Sequence, residues 1–253
     1  MAGFWKDQSK GLVIGLSGGF FGGLAGLGGG LIMIPLMSWT MRLTQHQAHG
    51  TSLAAIIFTS LIGSITYFRY GSVDWTAALI LAASAMLTAR FGALYAHSLP
   101  ERKLRKAFAW FLILISLLLV SKGTILKLSF QAGPVAHYLI LIITGIFTGF
   151  LAGMMGVGGG GVMVPPLVIF IGMPQHLAQG TSLLAMLPGS AVGAFTHYKL
   201  GNVVREITLG LIIGAAAGAY MGASLAHVMP ELYLRVIFSI VGVWVGIKYL
   251  KDP

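Results

Sequence analysis

From Leu128 to Tyr198 the chain runs for 71 residues without one Lys, Arg, Asp or Glu. A soluble domain keeps about 25% of its residues charged and spreads them over its surface, so no water-exposed fold can be built on such a stretch. Across all 253 residues only 9% are charged and 57% are hydrophobic. An all-α polytopic membrane protein is therefore expected, since a helix pairs its own backbone without help from water. The 36 Gly residues exceed the usual share of ~7%, as expected where transmembrane helices pack closely or break. The net charge of +10 could suggest nucleic acid, but the basic residues sit between apolar runs and read as topology signals. Cysteine is absent, which rules out disulfides, thiolate metal sites and CxxC redox chemistry.

Lys6 and Lys10 ahead of the apolar run Leu12–Leu27 imitate a signal peptide, but no A-x-A-like cleavage site closes the run. The segment also recurs inside the chain, so it is expected to be retained.

That recurrence is a tandem repeat. At an offset of 130 residues, Gly26-Leu-Gly-Gly-Gly-Leu-Ile-Met-Ile-Pro35 aligns with Gly156-Val-Gly-Gly-Gly-Gly-Val-Met-Val-Pro165, and Gln45–Leu53 aligns with Gln175–Leu183. Of the 90 positions from 19 to 108, 35 are identical to their partners. The expected organisation is an N-terminal tail (1–10), a first transmembrane repeat (11–122), a connector (123–136) and a second repeat (137–253).

Each half holds four apolar stretches, at 11–41, 47–68, 75–99 and 107–121, then at 137–173, 177–198, 207–229 and 232–250. A helix crosses the hydrocarbon core with about 20 residues, so the first stretch of each half is too long for one straight span. Gly26 and Gly28–Gly30, or Gly156 and Gly158–Gly161, interrupt it. Each half is thus expected to begin with a Gly-broken helix or a helical hairpin. If the stretch crosses, the repeats lie parallel; if it turns back, they are inverted. The hairpin model with a cytoplasmic N-terminus puts 11 cations inside and 4 outside (Arg69, Lys122, Lys127, Arg235). This bias favours inverted halves.

Consecutive Gly can serve as small-residue packing faces. They can equally leave backbone N–H groups unpaired at the start of a following half-helix, where the macrodipole attracts anions. Two such breaks in a duplicated protein point to a shared midplane site at Gly28, Gly29, Gly30, Gly158, Gly159 and Gly160. Neither cluster continues as a Walker loop or a dinucleotide fingerprint. Thr51, Ser52, Thr181 and Ser182 can cap helices or offer hydroxyls to a small oxyanion. His46 and His176, opening a span in each half, are interfacial imidazoles or else a gate or proton relay. Arg90, late in the third span, snorkels or touches substrate. His97 and His227 are expected in loops, and Trp39, Tyr70 and Trp75 as interfacial anchors. All six acids (Asp7, Asp74, Glu101, Glu206, Glu231, Asp252) fall in tails or connections. No residue set predicts a metal, a cofactor or hydrolytic chemistry.

The doubled Gly-x-Gly-Gly-Gly…Pro and Ala-x-Gly-Thr-Ser-Leu motifs resemble the sulfite exporter TauE/SafE family over essentially the whole chain. Leu31 and Arg42 depart from the doubled form, standing where the second half has Gly161 and Gly172. The resemblance implies a multi-pass inner-membrane transporter, no enzyme, that moves sulfite, sulfonates such as sulfoacetate, or related organic anions outward. Its partners would be a small anionic substrate and the lipid bilayer. A non-transporting membrane scaffold or assembly factor is the alternative. With no acid in any span, export is expected to be uncoupled and driven by the membrane potential, through alternating access.

Overall fold

The computed structural model describes residues 2–121 and 134–251. Among the described residues ten helices follow one another and no strand occurs: α1 (Ala2–Ala25), α2 (Gly30–Thr40), α3 (Gln45–Arg69), α4 (Trp75–Ser98), α5 (Glu101–Ser121), α6 (Pro134–Met155), α7 (Gly160–Ile169), α8 (Gln175–Lys199), α9 (Arg205–Ala226) and α10 (Glu231–Lys251). Four helical segments, α3, α4, Val135–Met155 within α6, and α9, are long and apolar enough to cross a membrane. Most of the connector expected at 123–136 lies outside the described residues.

Local chemistry sets the boundaries. Thr44 opens α3 with a capping box, its hydroxyl accepting from Gln47 N at 3.3 Å while Gln47 Oε1 accepts from Thr44 N at 3.2 Å. Asp74 opens α4 by accepting from Ala77 N at 3.0 Å. Two limits differ from the sequence reading. Helix α1 reaches back to Ala2, into the segment expected as a tail, because no proline intervenes and Asp7 pairs with Lys10 one turn on, at 3.9 Å. Helix α5 starts at Glu101 rather than 107. The cations from Arg102 to Lys106 form its first turns, since Pro100 ends the chain's extended entry and favours a helix start just beyond it.

Between α1 and α2 the backbone enters the left-handed region at Gly26, Gly28 and Gly29 (φ 71°, 81° and 87°). Gly156, Gly158 and Gly159 do the same between α6 and α7 (φ 66°, 82° and 98°). Only glycine holds such a run without steric cost. Helix α2 then runs back along α1: Gly29 abuts Gly18 O, and the Met33 side chain lies over Gly18. In the second half Gly159 packs on Thr148 and Ala152 of α6.

Small residues decide which helices meet. Gly11, Gly15, Gly19 and Gly23 of α1 lie against Ile207, Leu211, Ala215 and Ala219 of α9, while Gly210, Gly214, Gly218 and Gly222 of α9 lie against α1. Both sets recur every four residues, which keeps them on one helix face and lets parallel backbones touch. Helices α4 and α6 pack likewise, Gly145, Gly149 and Gly153 resting on Ser84, Ala85 and Ala89. Helices α3 and α8 instead run antiparallel: Gly50 sits beside His197, Gly193 beside Leu53, Gly63 beside Leu183 and Gly180 beside Tyr67. Helices α5 and α10 are antiparallel too, with Ser239 Oγ donating to Ser116 O at 2.8 Å and Gly246 on Ala109. Leu87, Phe91, Ile143 and Ile240 project outward, as a lipid-facing surface requires.

A side chain at Gly214 would collide with Leu12 O, whereas one at Gly189 meets nothing closer than Ala85 Cβ at 3.7 Å. Gly214→Ala should therefore cost about 1–3 kcal/mol through overpacking. Gly189→Ala should leave stability unchanged or raise it by about 0.5–1 kcal/mol through helix propensity. Thermal unfolding in detergent compares them, and equal effects would refute the close α1–α9 approach.

Candidate functional site

The two glycine loops meet at the centre of the fold. A Cβ on Gly30 would fall 2.5 Å from Gly156 O, and one on Gly160 would strike Gly26 O. Gly28 and Gly158 both face Ile56 and Met186, which occupy equivalent positions in the two halves and are almost wholly buried. The side chains of Ile56 and Met186 therefore close the space between the loops.

Each loop is clasped by the opposite half. Ser52 Oγ donates to Gly156 O at 2.6 Å, and Ser182 Oγ donates to Gly26 O at 2.9 Å. Each hydroxyl also lies within bonding distance of a carbonyl in its own helix, His49 O or Gln179 O. Thr51 Oγ1 accepts from Val204 N at 3.0 Å, and Thr181 Oγ1 accepts from Asp74 N at 2.9 Å. The four hydroxyls singled out in the sequence are thus fully buried and engaged with backbone.

The backbone donors of the loops are a different matter. Ile32 and Met33 N–H groups reach Gly29 O, and those of Val162 and Met163 reach Gly159 O. Among the described residues, no acceptor in the chain serves the N–H groups of Gly28–Leu31 or of Gly158–Gly161. The N-caps Gly29 and Gly159 have no side chain to help. Two half-helix N-termini with unpaired donors, buried in protein, form an arrangement that accepts negative charge.

Ser60 and Ser190 escaped the sequence reading. Their hydroxyls are buried and unpartnered, four residues beyond Ile56 and Met186 and hence on the same helix faces. Their identity at the 130-residue offset was the available signal. His46 and His176 are half-buried at the starts of α3 and α8, their rings 6.1 Å from His97 and 5.2 Å from His227. His227 lies in the turn just beyond α9, as expected of a loop residue, whereas His97 does not lie in a loop. His97 belongs to the last turn of α4, because that helix runs on until Pro100 approaches. Arg90 is exposed on α4, outside the buried centre. No group of three or more His, Cys, Asp or Glu able to hold a metal occurs among the described residues.

Residues 11–249 match the family described as Sulfite exporter TauE/SafE. The chain belongs to the TauE/SafE family. Relatives include the probable membrane transporter protein YunE of Bacillus subtilis, 31% identical over 79% of this chain and 82% of that protein. A second Bacillus subtilis protein, probable membrane transporter protein YdhB, is 30% identical over 69% of this chain and 74% of its own length. A probable membrane transporter protein of Methanocaldococcus jannaschii is 25% identical over 76% of this chain and 72% of that protein. The glycine loops and the clasping serines both fall within the matched TauE/SafE region.

If the clasps hold the loops together, Ser52→Ala and Ser182→Ala should each cost about 1–3 kcal/mol by leaving a buried carbonyl unpaired. Thermal unfolding of the purified variants measures this, and unchanged melting for both would overturn the clasp.

Proposed function

We propose that the chain exports small sulfur-containing or organic anions, such as sulfite or the sulfonate sulfoacetate, across the cell inner membrane by alternating access. The observation that carries this reading is the meeting of two buried half-helix N-termini whose N–H groups take no partner among the described residues. Gly28–Gly30 and Gly158–Gly160 would hold the anion through those donors. Thr51, Ser52, Thr181 and Ser182 would join them when the clasps open, exchanging a loop carbonyl for an oxyanion. The conformation described above, with Ile56 and Met186 over the loops, would be a closed one. The halves would be inverted about an axis in the membrane plane. The antiparallel packing of sequence-equivalent helices, α3 on α8 and α5 on α10, supports that arrangement.

A neutral site of backbone donors suits release, since a fixed buried cation would bind an anion too tightly. An anion leaving a negative interior moves downhill by about 2.3 kcal/mol per charge per 100 mV, enough for export without a coupling ion. Reconstituted protein should carry labelled sulfoacetate or sulfite under a valinomycin-set potential with no pH difference. His46→Gln with His176→Gln should leave that flux largely intact. The double substitution Ser60→Ala/Ser190→Ala should raise KM about tenfold, the loss of hydrogen bonds to a charged ligand, without lowering thermal stability, because neither hydroxyl has a partner to lose. Absence of flux across a panel of such anions would sink the proposal and favour a scaffold.

A further inference from the structure

Two carbonyls that end α6 are each met by an imidazole, while the equivalent carbonyls that end α1 are met by a tyrosine hydroxyl. His49 Nδ1 lies 3.1 Å from Met154 O, and His197 Nε2 lies 3.0 Å from Gly153 O. At the matching place in the other half, the Tyr67 hydroxyl lies 3.1 Å from Gly23 O and from Gln179 Oε1 and 3.4 Å from Leu24 O, with one hydrogen to donate among them. Gln179 and Tyr67 align with His49 and His197 at the 130-residue offset. One fold position is thus filled twice, once by titratable residues and once by residues that do not titrate near neutrality.

The partners fix the proton positions. A carbonyl only accepts, so His49 Nδ1 and His197 Nε2 carry hydrogens. His49 Nε2 is then a bare lone pair, and it is buried with no partner in a residue that is 0% exposed. His197 Nδ1 accepts from Asn202 Nδ2 at 3.3 Å, and the same amide lies 3.4 Å from His97 Nδ1. Facing this group are His46 on α3, His97 on α4 and Glu101 at the start of α5, the last bonded to Gln45 N at 3.1 Å. Helix α9 opens nearby with Arg205, held on the Tyr198 hydroxyl, and Glu206, in a groove with Asp7, Lys10 and Arg42. Lys199 lies over the Phe195 ring. Among the described residues, α2 and the last four turns of α6 carry no charged side chain.

A proton on His197 Nδ1 would turn an acceptor into a donor against the Asn202 amide, so that amide must rotate. A proton on His49 Nε2 would set a charge in a fully buried position with no carboxylate bonded to it. Both events act on the final turn of α6, which leads directly into Gly156–Gly159. We propose that His49 and His197 are positioning residues through which protonation shifts the second glycine loop more than the first, where the imidazole packed on Tyr67, that of His227 at 4.8 Å between rings, bonds Ala223 O of its own helix and no carbonyl of α1. The consequence for anion handling rests on the function proposed above; the difference between the loops does not.

Hydrogen exchange of the intact protein in nanodiscs tests this without a substrate. Peptides covering 156–161 and 26–31 would be compared at about pH 8 and about pH 5.5, corrected for intrinsic exchange, to bracket the imidazole range. The second loop should lose protection about tenfold relative to the first, the response of a single uncompensated protonation. With His49→Gln and His197→Tyr, the residue types that stand at the first loop as Gln179 and Tyr67, the loops should respond alike. Equal responses in the unsubstituted protein would overturn the proposal with no variant needed, as would a difference that survives the double substitution. Sulfoacetate flux, with equal pH on both faces, should depend on pH in the unsubstituted protein and not in the variant. If flux is absent in both, the transport reading fails while the exchange comparison still decides the role of the histidines.

Discussion

An unpaired backbone N–H in hydrocarbon costs several kcal/mol, so irregular chain at membrane depth survives only when protein encloses it. This fold carries two such segments, at Gly26–Gly29 and Gly156–Gly159, and sets them against each other. The surrounding architecture follows from keeping lipid away from them. Helices α3 and α8 cross beside the loops and bury their motif segments there, from Ala48 to Leu53 and from Ala178 to Leu183. The α1–α9 and α4–α6 pairs complete the enclosure. Their backbones come close enough to seal it because glycine or alanine stands at nearly every contact.

Enclosure alone does not orient the loops. Lone pairs on Gly26 O and Gly156 O would be as costly as the bare donors, and serines from the opposite half satisfy them. The threonines beside those serines take up Val204 N and Asp74 N, the backbone donors at the entries to α9 and α4. Each Thr-Ser pair therefore fixes a loop of the other half and a helix start of the other half at once. Neither half is complete by itself, because the partners that satisfy its backbone belong to the other.

What the sequence disclosed was local or periodic. The uncharged run announces a membrane protein. The offset of 130 marks the glycine breaks and the Thr-Ser segments, and helix limits such as Thr44 and Asp74 carry their own capping chemistry. What it withheld was pairing. The four-residue Gly periodicity of α1 and α9 is visible once those helices are known to be partners, but nothing local says that residue 15 meets residue 211. Ser52 reads as a capping hydroxyl until Gly156 is placed beside it. The apolar run at 107–121 falls short of α5, because the helix start at Glu101 is set by the proline just ahead of it and not by hydropathy. His49 and His197 carry no such mark at the repeat offset, because the halves differ at both positions, with Gln179 and Tyr67 as their counterparts.

Those differences bear on mechanism. In a device built from two identical inverted halves, the states open to either face would have equal energy, and nothing in the protein would favour one. Each 1.4 kcal/mol of inequality changes their ratio about tenfold. The loops, the Ser clasps and the unpartnered Ser60 and Ser190 are alike in both halves, so they cannot supply it. The residues at the preceding helix ends could, with His49 and His197 on the α6 carbonyls and Tyr67, bonded to Gln179, on those of α1. Leu31 against Gly161 and Arg42 against Gly172 add to this, the Arg42 backbone standing at φ 55° where glycine serves the other half. On the function proposed, the residues shared by both halves would hold one ligand from two sides, and the residues that differ would set which side it meets first.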